Sequence, residues 1–283
     1  MVGDSSLIKV ELTEAAKVLI EKISDAIGGI FKPFQIKRIA KAEAEAEIIR
    51  TEAQIECEDL HRRALARFVA EEAKKQDNIE NITRKAIPLL SESSTPQKME
   101  NDWITNFFDK CRIISDDEMQ ILWSKVLAGE ANSPGSFSKR TVNSLASLDK
   151  TDAKLFTLLC GFTWDIGGLI PLIIDYKAPI YVDQGVNFDM LSHLDDIGLV
   201  SFLPIGSFKA TRMRQRGIIK YYGTPFNLEF KKHDDNEIST GVALFTKTGK
   251  QLAEICGAKP IDGFVDYVTE QWAEKGVSLF LAS

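Results

Sequence analysis

The side chains best suited to acid–base or metal chemistry are the three histidines, at positions 61, 193 and 233. No two of them stand at the HxxxH or HExxH spacing that holds a metal. His193, followed by Asp195 and Asp196, is the one candidate acid–base cluster, although a histidine at such a helix end is usually a surface residue. No nucleophile elbow, P-loop or GxGxxG motif is present. We therefore predict no catalytic residues, no metal site and no cofactor, and favour a non-enzymatic protein over an enzyme whose site is assembled across the fold.

A basic segment, SFKATRMRQRGIIKYY, could bind the phosphates of a nucleic acid. Its candidate residues are Lys209, Arg212, Arg214, Arg216 and Lys220. In a β-strand, Arg212, Arg214 and Arg216 would all face one side, and such a concentration of positive charge in an acidic protein can contact phosphates. The competing interpretation is an exposed hairpin edge whose charges prevent edge-to-edge pairing. Nucleic acid is therefore retained as the less favoured partner.

A second segment, GGIFKPFQIKR, places aromatic rings beside cations, as a membrane-interface segment would. The candidate residues are Phe31, Lys32, Phe34, Lys37 and Arg38. They follow an amphipathic helix predicted over 12–30, so the whole stretch 12–38 could contact a membrane peripherally. The alternative is that this helix packs on the protein core, as most amphipathic helices do.

The longest predicted helix runs from Gln35 to about Ala73 without proline or glycine. It is rich in Ala, Glu, Lys and Arg, the strongest helix formers. Its narrow apolar stripe consists of Ile49, Ala53, Cys57, Leu60, Ala64 and Phe68. At 1.5 Å per residue this helix would span roughly 57 Å, more than a compact domain needs. We therefore expect a helix hairpin or a coiled coil between copies, and so a homo-oligomer. Another helix is predicted from Asn78 to Ala86.

The central segment, residues 102–140, is predicted to form a helical core. Apolar residues spaced three and four apart indicate two helices, one around Trp103 and one around Trp123. Ser115 is the expected N-cap of the second helix, with Glu118 completing a capping box. So much large apolar surface on short helices must be buried against neighbouring helices, and the segment carries no recognisable chemistry.

The chain changes character near Trp164, after a helix for which Thr151 is the expected cap. Strand-like runs then alternate with short helices, and a helix ending in DDIGLV before further strands is typical of winged-helix domains. The predicted fold class is mainly α. Its segments are long amphipathic and charged helices over 1–90, a helical central bundle over 91–163, and an α+β winged-helix-like domain over 164–283.

Composition limits the compartment and the partners. The chain has 283 residues and a net charge of −6, which argues mildly against wholesale nucleic-acid binding. Its four cysteines form no CxxC pair, as suits reduced thiols in a cytoplasm. The N-terminus lacks the basic start and apolar run of a signal peptide, and no segment reaches the roughly 20 apolar residues of a membrane span. We expect a cytoplasmic protein, with peripheral contact to the inner membrane as the alternative.

Four segments together resemble the bacterial family named domain of unknown function 2806. They are IGGIFKPFQIKRIAKAEAEA, NIENITRKA, DWITNFF and SDDEMQILWSKVLAGEANSPGSFSKRT. The resemblance covers most of the first 160 residues, and the C-terminal half matches more loosely. A shorter form of the central motif, with a helix ending in LWxxLLA and then a Pro-Ser-Phe turn, is similar to Abi-alpha proteins, which are linked to abortive infection of bacteria attacked by phage.

The resemblance implies a role in phage defence or on mobile elements, with a partner protein from the same locus, and it brings no catalytic residues. Its motif positions are interpreted as structural: Trp103, Trp123, Leu127, Gly129, Glu130, Pro134, Phe137 and Arg140. Glu130 and Arg140 are expected to form an ion pair that pins the turn. The leading hypothesis is a non-enzymatic anti-phage defence component acting through oligomerisation and membrane engagement. The alternative is a nucleic-acid-binding winged-helix regulator that uses the basic hairpin.

Overall fold

The computed structural model of the protein describes residues 12–27 and 59–282. The chain divides into two compact units, Met1–Val142 and Asn143–Ser283. About 52% of the described residues are helical and 18% lie in strands. The fold is therefore an α+β mixture, and the prediction of a mainly α protein is wrong, because the C-terminal half forms a multi-stranded antiparallel sheet. The division into three segments at 90/91 and 163/164 stays a prediction.

In its described residues, 12–27 and 59–142, the first unit is helical. Its helices are α1 (Glu14–Ile27), α2 (Asp59–Ala86), α3 (Asn101–Cys111), α4 (Asp117–Asn132) and the start of α5 (Lys139–Ser147). The amphipathic α1 buries Ala16, Leu19 and Ile23. Thr13 caps it, since its hydroxyl accepts the Ala16 N–H at 3.3 Å. No helix in the described ranges is long and apolar enough to cross a membrane.

The helix α2 is continuous, so the separate helix predicted from Asn78 is its C-terminal part. Its first turns are exposed, with Leu60 61% and Phe68 60% accessible. Burial begins at Asn78, whose side-chain amide donates to the Arg112 carbonyl at 2.8 Å and accepts from Gln120 at 3.3 Å. The last third of α2, from Asn78 onward, therefore packs against α3 and α4 around a satisfied polar contact.

The helices α3 and α4 supply the aromatic centre of the first unit. Trp103 stacks on Phe107 with ring centroids 5.1 Å apart, and Phe107 meets Trp123 edge to face, also at 5.1 Å. All three side chains are buried. The N-cap of α4 is Asp116 rather than the predicted Ser115, because the Asp116 carboxylate accepts the backbone N–H three residues ahead at 3.0 Å. A carboxylate caps a helix as well as a hydroxyl does.

The turn after α4 is held by a buried carboxylate, that of Glu130, which is 3% exposed. It accepts the backbone N–H of Gly135 at 2.7 Å and that of Phe137 at 2.8 Å. Burial raises the pKa of Glu130, and the amide hydrogen bonds oppose that rise. The predicted ion pair with Arg140 is wrong, because backbone amides occupy the carboxylate and Arg140 lies exposed.

Phe137 enters the core beneath this turn. Its carbonyl accepts a hydrogen bond from the Trp103 indole N–H at 2.6 Å. Its ring lies so close to α4 that a Cβ on Gly129 would stand 2.5 Å from the ring. Leu127 is fully buried, and Pro134 lies in the turn itself. The motif positions from 103 to 137 therefore assemble into one packed turn and core.

The second unit mixes short helices with strands. Its helices are α6 (Lys150–Cys160), α7 (Pro179–Val182), α8 (Phe188–Asp196), α9 (Lys247–Ala253) and α10 (Phe264–Ala273). Its strands are β1 (Thr163–Asp165), β2 (Leu169–Pro171), β3 (Val200–Phe202), β4 (Phe208–Met213), β5 (Arg216–Tyr221), β6 (Thr224–Phe230), β7 (Asn236–Gly241), β8 (Ala243–Phe245) and β9 (Val277–Leu281). A capping box of Asp149 and Asp152 begins α6, in place of the predicted Thr151. The segment PIYV is one of the strand-like runs after Trp164, and it forms the helix α7 instead, since proline suits a first helical turn.

Five strands form an antiparallel sheet in the order β2-β1-β5-β6-β9, and two ribbons pair β3 with β8 and β4 with β7. The β5–β6 hairpin lies at the centre of the sheet, between β1 and β9, instead of forming a wing at an edge. The predicted winged-helix topology is therefore wrong. The strand β9 was not predicted, because a sheet order depends on contacts far apart in the sequence.

Aromatic residues fill the inner face of this sheet. Trp164 on β1 stacks on Tyr221 on β5 with centroids 5.0 Å apart. The Tyr221 hydroxyl donates to the Gly161 carbonyl and accepts the Ile261 N–H, both at 2.7 Å. Burial raises the pKa of Tyr221 to about 12. This residue thereby ties the C-terminal end of α6 to the segment before α10.

Replacing Gly129 tests the packing of the central motif. Gly129→Ala is expected to lower the unfolding free energy by about 1–3 kcal/mol, the usual cost of overpacking a core, because the added methyl group overlaps the Phe137 ring. Helix propensity alone predicts a gain of roughly 1 kcal/mol. Urea unfolding followed by circular dichroism gives the sign. In a Phe137→Leu background the cost should shrink or reverse; an equal loss in both backgrounds contradicts the contact.

Candidate nucleic-acid interface and an adjoining cavity

The basic segment spans two strands and the turn between them. Lys209 lies in β4, and Arg216 and Lys220 lie in β5. Arg212 has a φ of +57°, and the pairing of β4 with β7 shifts register there. Because Arg212 leaves the extended conformation and Arg214 lies in the turn, the three arginines do not share one strand face as predicted.

Two of the five predicted cations are tied to carboxylates. Lys209 pairs with Glu237 at 2.5 Å, and Arg216 pairs with Glu229 at 2.6 Å. Arg214 and Arg212 are exposed and form no ion pair with any residue of the described ranges. These two guanidinium groups are therefore the ones available to an external anion.

A second group of basic residues, Lys231, Lys232 and His233, lies in the connection between β6 and β7. Asp234 and Asp235 follow it, and His233 pairs with Asp234 at 2.6 Å, so Lys231 and Lys232 are the cations that this connection offers to an anion. Backbone hydrogen bonds join it to the arginine turn: Gln215 N–H donates to the His233 carbonyl at 2.9 Å, and Phe230 N–H donates to the Gln215 carbonyl at 2.8 Å. We name residues 212–216 and 231–235 together the basic turns. Sequence inspection missed this pairing, because the two groups are separated by a whole hairpin.

The Asn236 side chain links the two basic turns by hydrogen bonds. Its amide donates to the Met213 carbonyl at 3.2 Å and to the Lys232 carbonyl at 3.1 Å. Asn236 is 6% exposed, so these are protected contacts. Hydrogen bonds thus hold the backbones of the two turns next to each other, so that their cations can contact one anion.

Lys220 belongs to a different feature, a cavity of about 440 Å³. The cavity is lined by Cys160, Thr163, Asp165, Leu169, Lys220, Tyr222, Gly223, Ala253, Glu254, Gly257 and Ala258. Lys220 stands directly opposite Asp165 in the pairing of β5 with β1, yet within the described chain no ion pair joins them. A cation, two carboxylates and an aromatic ring therefore face one volume, the size of a small-ligand site.

Tyr222 is an unusual residue for the turn that it occupies at the cavity. Tyr222 and Gly223 connect β5 to β6 with φ values of +48° and +82°, the left-handed pattern that favours Asn-Gly. A left-handed conformation costs a residue such as tyrosine about 1–2 kcal/mol. Its hydroxyl donates to the Cys160 carbonyl at 2.9 Å, and burial raises its pKa. The ring is therefore locked in place despite a backbone penalty.

The Cys160 thiol at the cavity is a poor nucleophile. Burial raises the pKa of Cys160 well above its ordinary value, and the neighbouring Cys256 raises it further. Cys256 itself donates to the Ala253 carbonyl at 3.4 Å. Since the thiolate is the reactive form, this environment favours packing over covalent chemistry at Cys160.

The His193 cluster differs from its prediction. The ring Nε2 lies 2.6 Å from Asp152, and neither Asp195 nor Asp196 is its partner. Asp152 also accepts the Asp149 N–H at 2.9 Å. In the described chain no hydroxyl or thiol is hydrogen-bonded to the imidazole, so the pair links α8 to α6 and offers no nucleophile. No group of three metal-binding side chains occurs in the described ranges.

The membrane-interface candidates Phe31, Lys32, Phe34, Lys37 and Arg38 lie outside the described residues. Of the other predicted positions, the motif residues lie in the first unit and the basic residues in the second. In the structure, Arg212 and Arg214 thus lie beside the second basic group, Lys231 and Lys232, whereas Lys220 lines the cavity.

Removing the Tyr222 hydroxyl tests how the cavity wall is held. Tyr222→Phe is expected to lower the unfolding free energy by about 1 kcal/mol, because the Cys160 carbonyl loses its donor. Thermal unfolding measures the change. Tyr176→Phe is the matched control, since the Tyr176 hydroxyl makes no hydrogen bond within the described chain. Equal stability of Tyr222→Phe and the unaltered protein would contradict the bond.

Comparison with known proteins gives one assignment. No curated protein and no solved structure matches the chain. The family model described as Protein of unknown function (DUF2806) matches residues 62–269. That match covers well over half of the chain, from α2 into α10, and includes the basic turns and the cavity. The chain therefore belongs to the DUF2806 family.

Proposed function

We propose that this protein is a non-enzymatic nucleic-acid-binding component of a bacterial anti-phage defence system. The observation that carries nucleic-acid binding is the joining of two basic turns, in which Arg212 and Arg214 have no carboxylate partner in the described chain. The role in defence rests on the similarity of the central motif to Abi-alpha proteins.

The chemistry of the basic turns suits phosphate. Arginine presents several N–H donors in a rigid fork that matches phosphate oxygens, and it stays charged at every physiological pH. Lys231 and Lys232 add two exposed ammonium groups on the adjoining turn. The hydrogen bonds that join the turns order their backbone before a ligand arrives, so less loop entropy is lost on binding.

The charge distribution of the chain predicts weak binding at high salt. Residues 208–237 contain seven Lys and Arg against four Asp and Glu, whereas the whole chain has a net charge of −6. The remainder of the chain repels a polyanion, and the local cations attract it only within about 10 Å at 0.1 M salt. Binding should therefore be steeply salt-dependent and independent of sequence.

Oligomerisation through α2 would strengthen such binding. Leu60 and Phe68 on its exposed turns are 61% and 60% accessible, and their burial between copies would remove apolar surface from water. Two copies would present two sets of basic turns, and bivalent engagement of one strand can exceed single-site affinity by roughly a hundredfold or more. A membrane contact through residues 31–38 and a partner protein from the same locus remain parts of the proposal.

Nucleic-acid binding is tested by fluorescence anisotropy with labelled DNA and RNA over a range of salt concentrations. The double variant Arg212→Gln, Arg214→Gln is expected to bind at least tenfold more weakly at low salt. Loss of two phosphate contacts should reduce the slope of log K against log salt by about 1.4–1.8. Arg216→Gln should have a smaller effect, because Arg216 is already paired with Glu229.

The matched control removes the same charge elsewhere in the second unit. Lys154→Gln with Lys259→Gln changes two exposed lysines outside the basic turns and should leave the slope unchanged. Absence of binding by the unaltered protein at low salt ends the nucleic-acid proposal. An equal loss of binding in the control variant would show that the effect of the arginine substitutions is one of net charge.

The defence role is tested by phage plating on a bacterial host that expresses the protein, against an empty vector. Protection of the culture together with death of infected cells is the expected result, and the Arg212→Gln, Arg214→Gln variant should lose protection. Protection that persists in this variant and disappears on replacement of Phe31 and Phe34 would favour membrane engagement. No protection across a broad phage panel contradicts the defence role.

A further inference from the structure

The exposed face of the five-stranded sheet connects the basic turns to the cavity. Every second residue of β5 lies on the same face of the sheet. Arg216, Ile218 and Lys220 share one face, and all three are exposed. Arg216 lies at the basic turns and Lys220 at the cavity, about 13 Å apart at the usual strand rise. The cavity is therefore reached from the basic turns along one strand, within the second unit.

The lining of the cavity selects for a ligand that carries several kinds of group. Lys220 offers an ammonium to a phosphate. Asp165 and Glu254 offer acceptors to N–H or O–H donors, such as an exocyclic amine or sugar hydroxyls. Phosphate alone would leave the two carboxylates facing an anion, and a simple aliphatic amine would leave Lys220 unmatched. The charged groups together fit a molecule with both an anion and hydrogen-bond donors.

Tyr222 adds an aromatic surface to this set. It is 41% exposed, and its hydroxyl bond to Cys160 holds the ring at the cavity wall. A left-handed turn position would be filled with less strain by Asn, Asp or Gly. Strained backbone positions cluster at binding and active sites, so the Tyr222 ring is a candidate for contact with a ligand. A flat ring on a tyrosine face is a common way to bind a base.

We infer that the cavity binds one nucleotide unit, with its base against Tyr222, its phosphate at Lys220, and its amine or sugar hydroxyls at Asp165 and Glu254. The unit is either a free mononucleotide or one unstacked nucleotide of a single strand held by the basic turns. The first source is independent of the proposed function, and the second rests on it. Both sources present the same chemistry to the cavity.

The free-nucleotide arm uses isothermal titration of the full chain with adenosine, cytidine and uridine 5′-monophosphates and with inorganic phosphate. Adenosine and cytidine monophosphates should bind, uridine monophosphate more weakly because it lacks the exocyclic amine, and phosphate least. Lys220→Gln and Tyr222→Asn should each weaken binding roughly tenfold or more. Asn suits the turn conformation, so this variant should fold; circular dichroism checks that. Lys259→Gln is the control of equal charge outside the cavity.

The strand arm uses single-stranded oligonucleotides that contain 2-aminopurine, whose fluorescence changes when the base leaves its neighbours and contacts a protein ring. A change with the unaltered protein that disappears in Lys220→Gln and Tyr222→Asn supports the inference, even without free-nucleotide binding. Absence of mononucleotide binding together with an unaltered fluorescence response in both variants overturns it.

The proposed function is judged separately. If the Arg212→Gln, Arg214→Gln variant loses the salt-dependent binding of the unaltered protein, the proposed function is still supported. Mononucleotide binding without oligonucleotide binding would reject the proposed function and support the inference.

Discussion

The Tyr221 hydroxyl is both donor and acceptor in the core of the second unit, and the arrangement around it depends on those two bonds. It satisfies the Gly161 carbonyl and the Ile261 N–H, and a buried backbone group left without a partner costs about 1–3 kcal/mol. Because side chains alternate along a strand, fixing Tyr221 inward turns Lys220 outward. The two bonds of this hydroxyl thus help to hold one face of β5 against the core, and Lys220 on the opposite face lines the cavity.

The first unit shows what helical periodicity predicts well and where it fails. The apolar spacing around Trp103 and Trp123 predicts two helices that the structure contains, because burial on one face is a local property of a helix. The ends were less predictable: Asp116 and Asp149, not Ser115 and Thr151, accept the first free amides. Several residues at each helix start can cap, and tertiary packing selects among them.

The sheet and the candidate site were only partly predictable, because strand partners are set by long-range packing. A run of five cations in the sequence is divided in the structure, with Lys209 and Arg216 paired to carboxylates and Lys220 placed at a cavity. The second basic turn became apparent only from backbone hydrogen bonds. The partners of Glu130 were likewise not predictable from residue types. The sequence suggested an ion pair with a cation, but the Glu130 carboxylate accepts backbone N–H groups, which every residue except proline carries.

The continuous α2 also has a mechanical consequence. From Asp59 to Asn78, where burial begins, the helix contains neither proline nor glycine, so it has no built-in hinge. At 1.5 Å per residue this stretch is a spacer of about 28 Å. Whatever attaches to its first turns is held at a set stand-off from the buried centre of the first unit. A shift of one heptad in that length would move the attachment point by about 10 Å with little change in its facing direction.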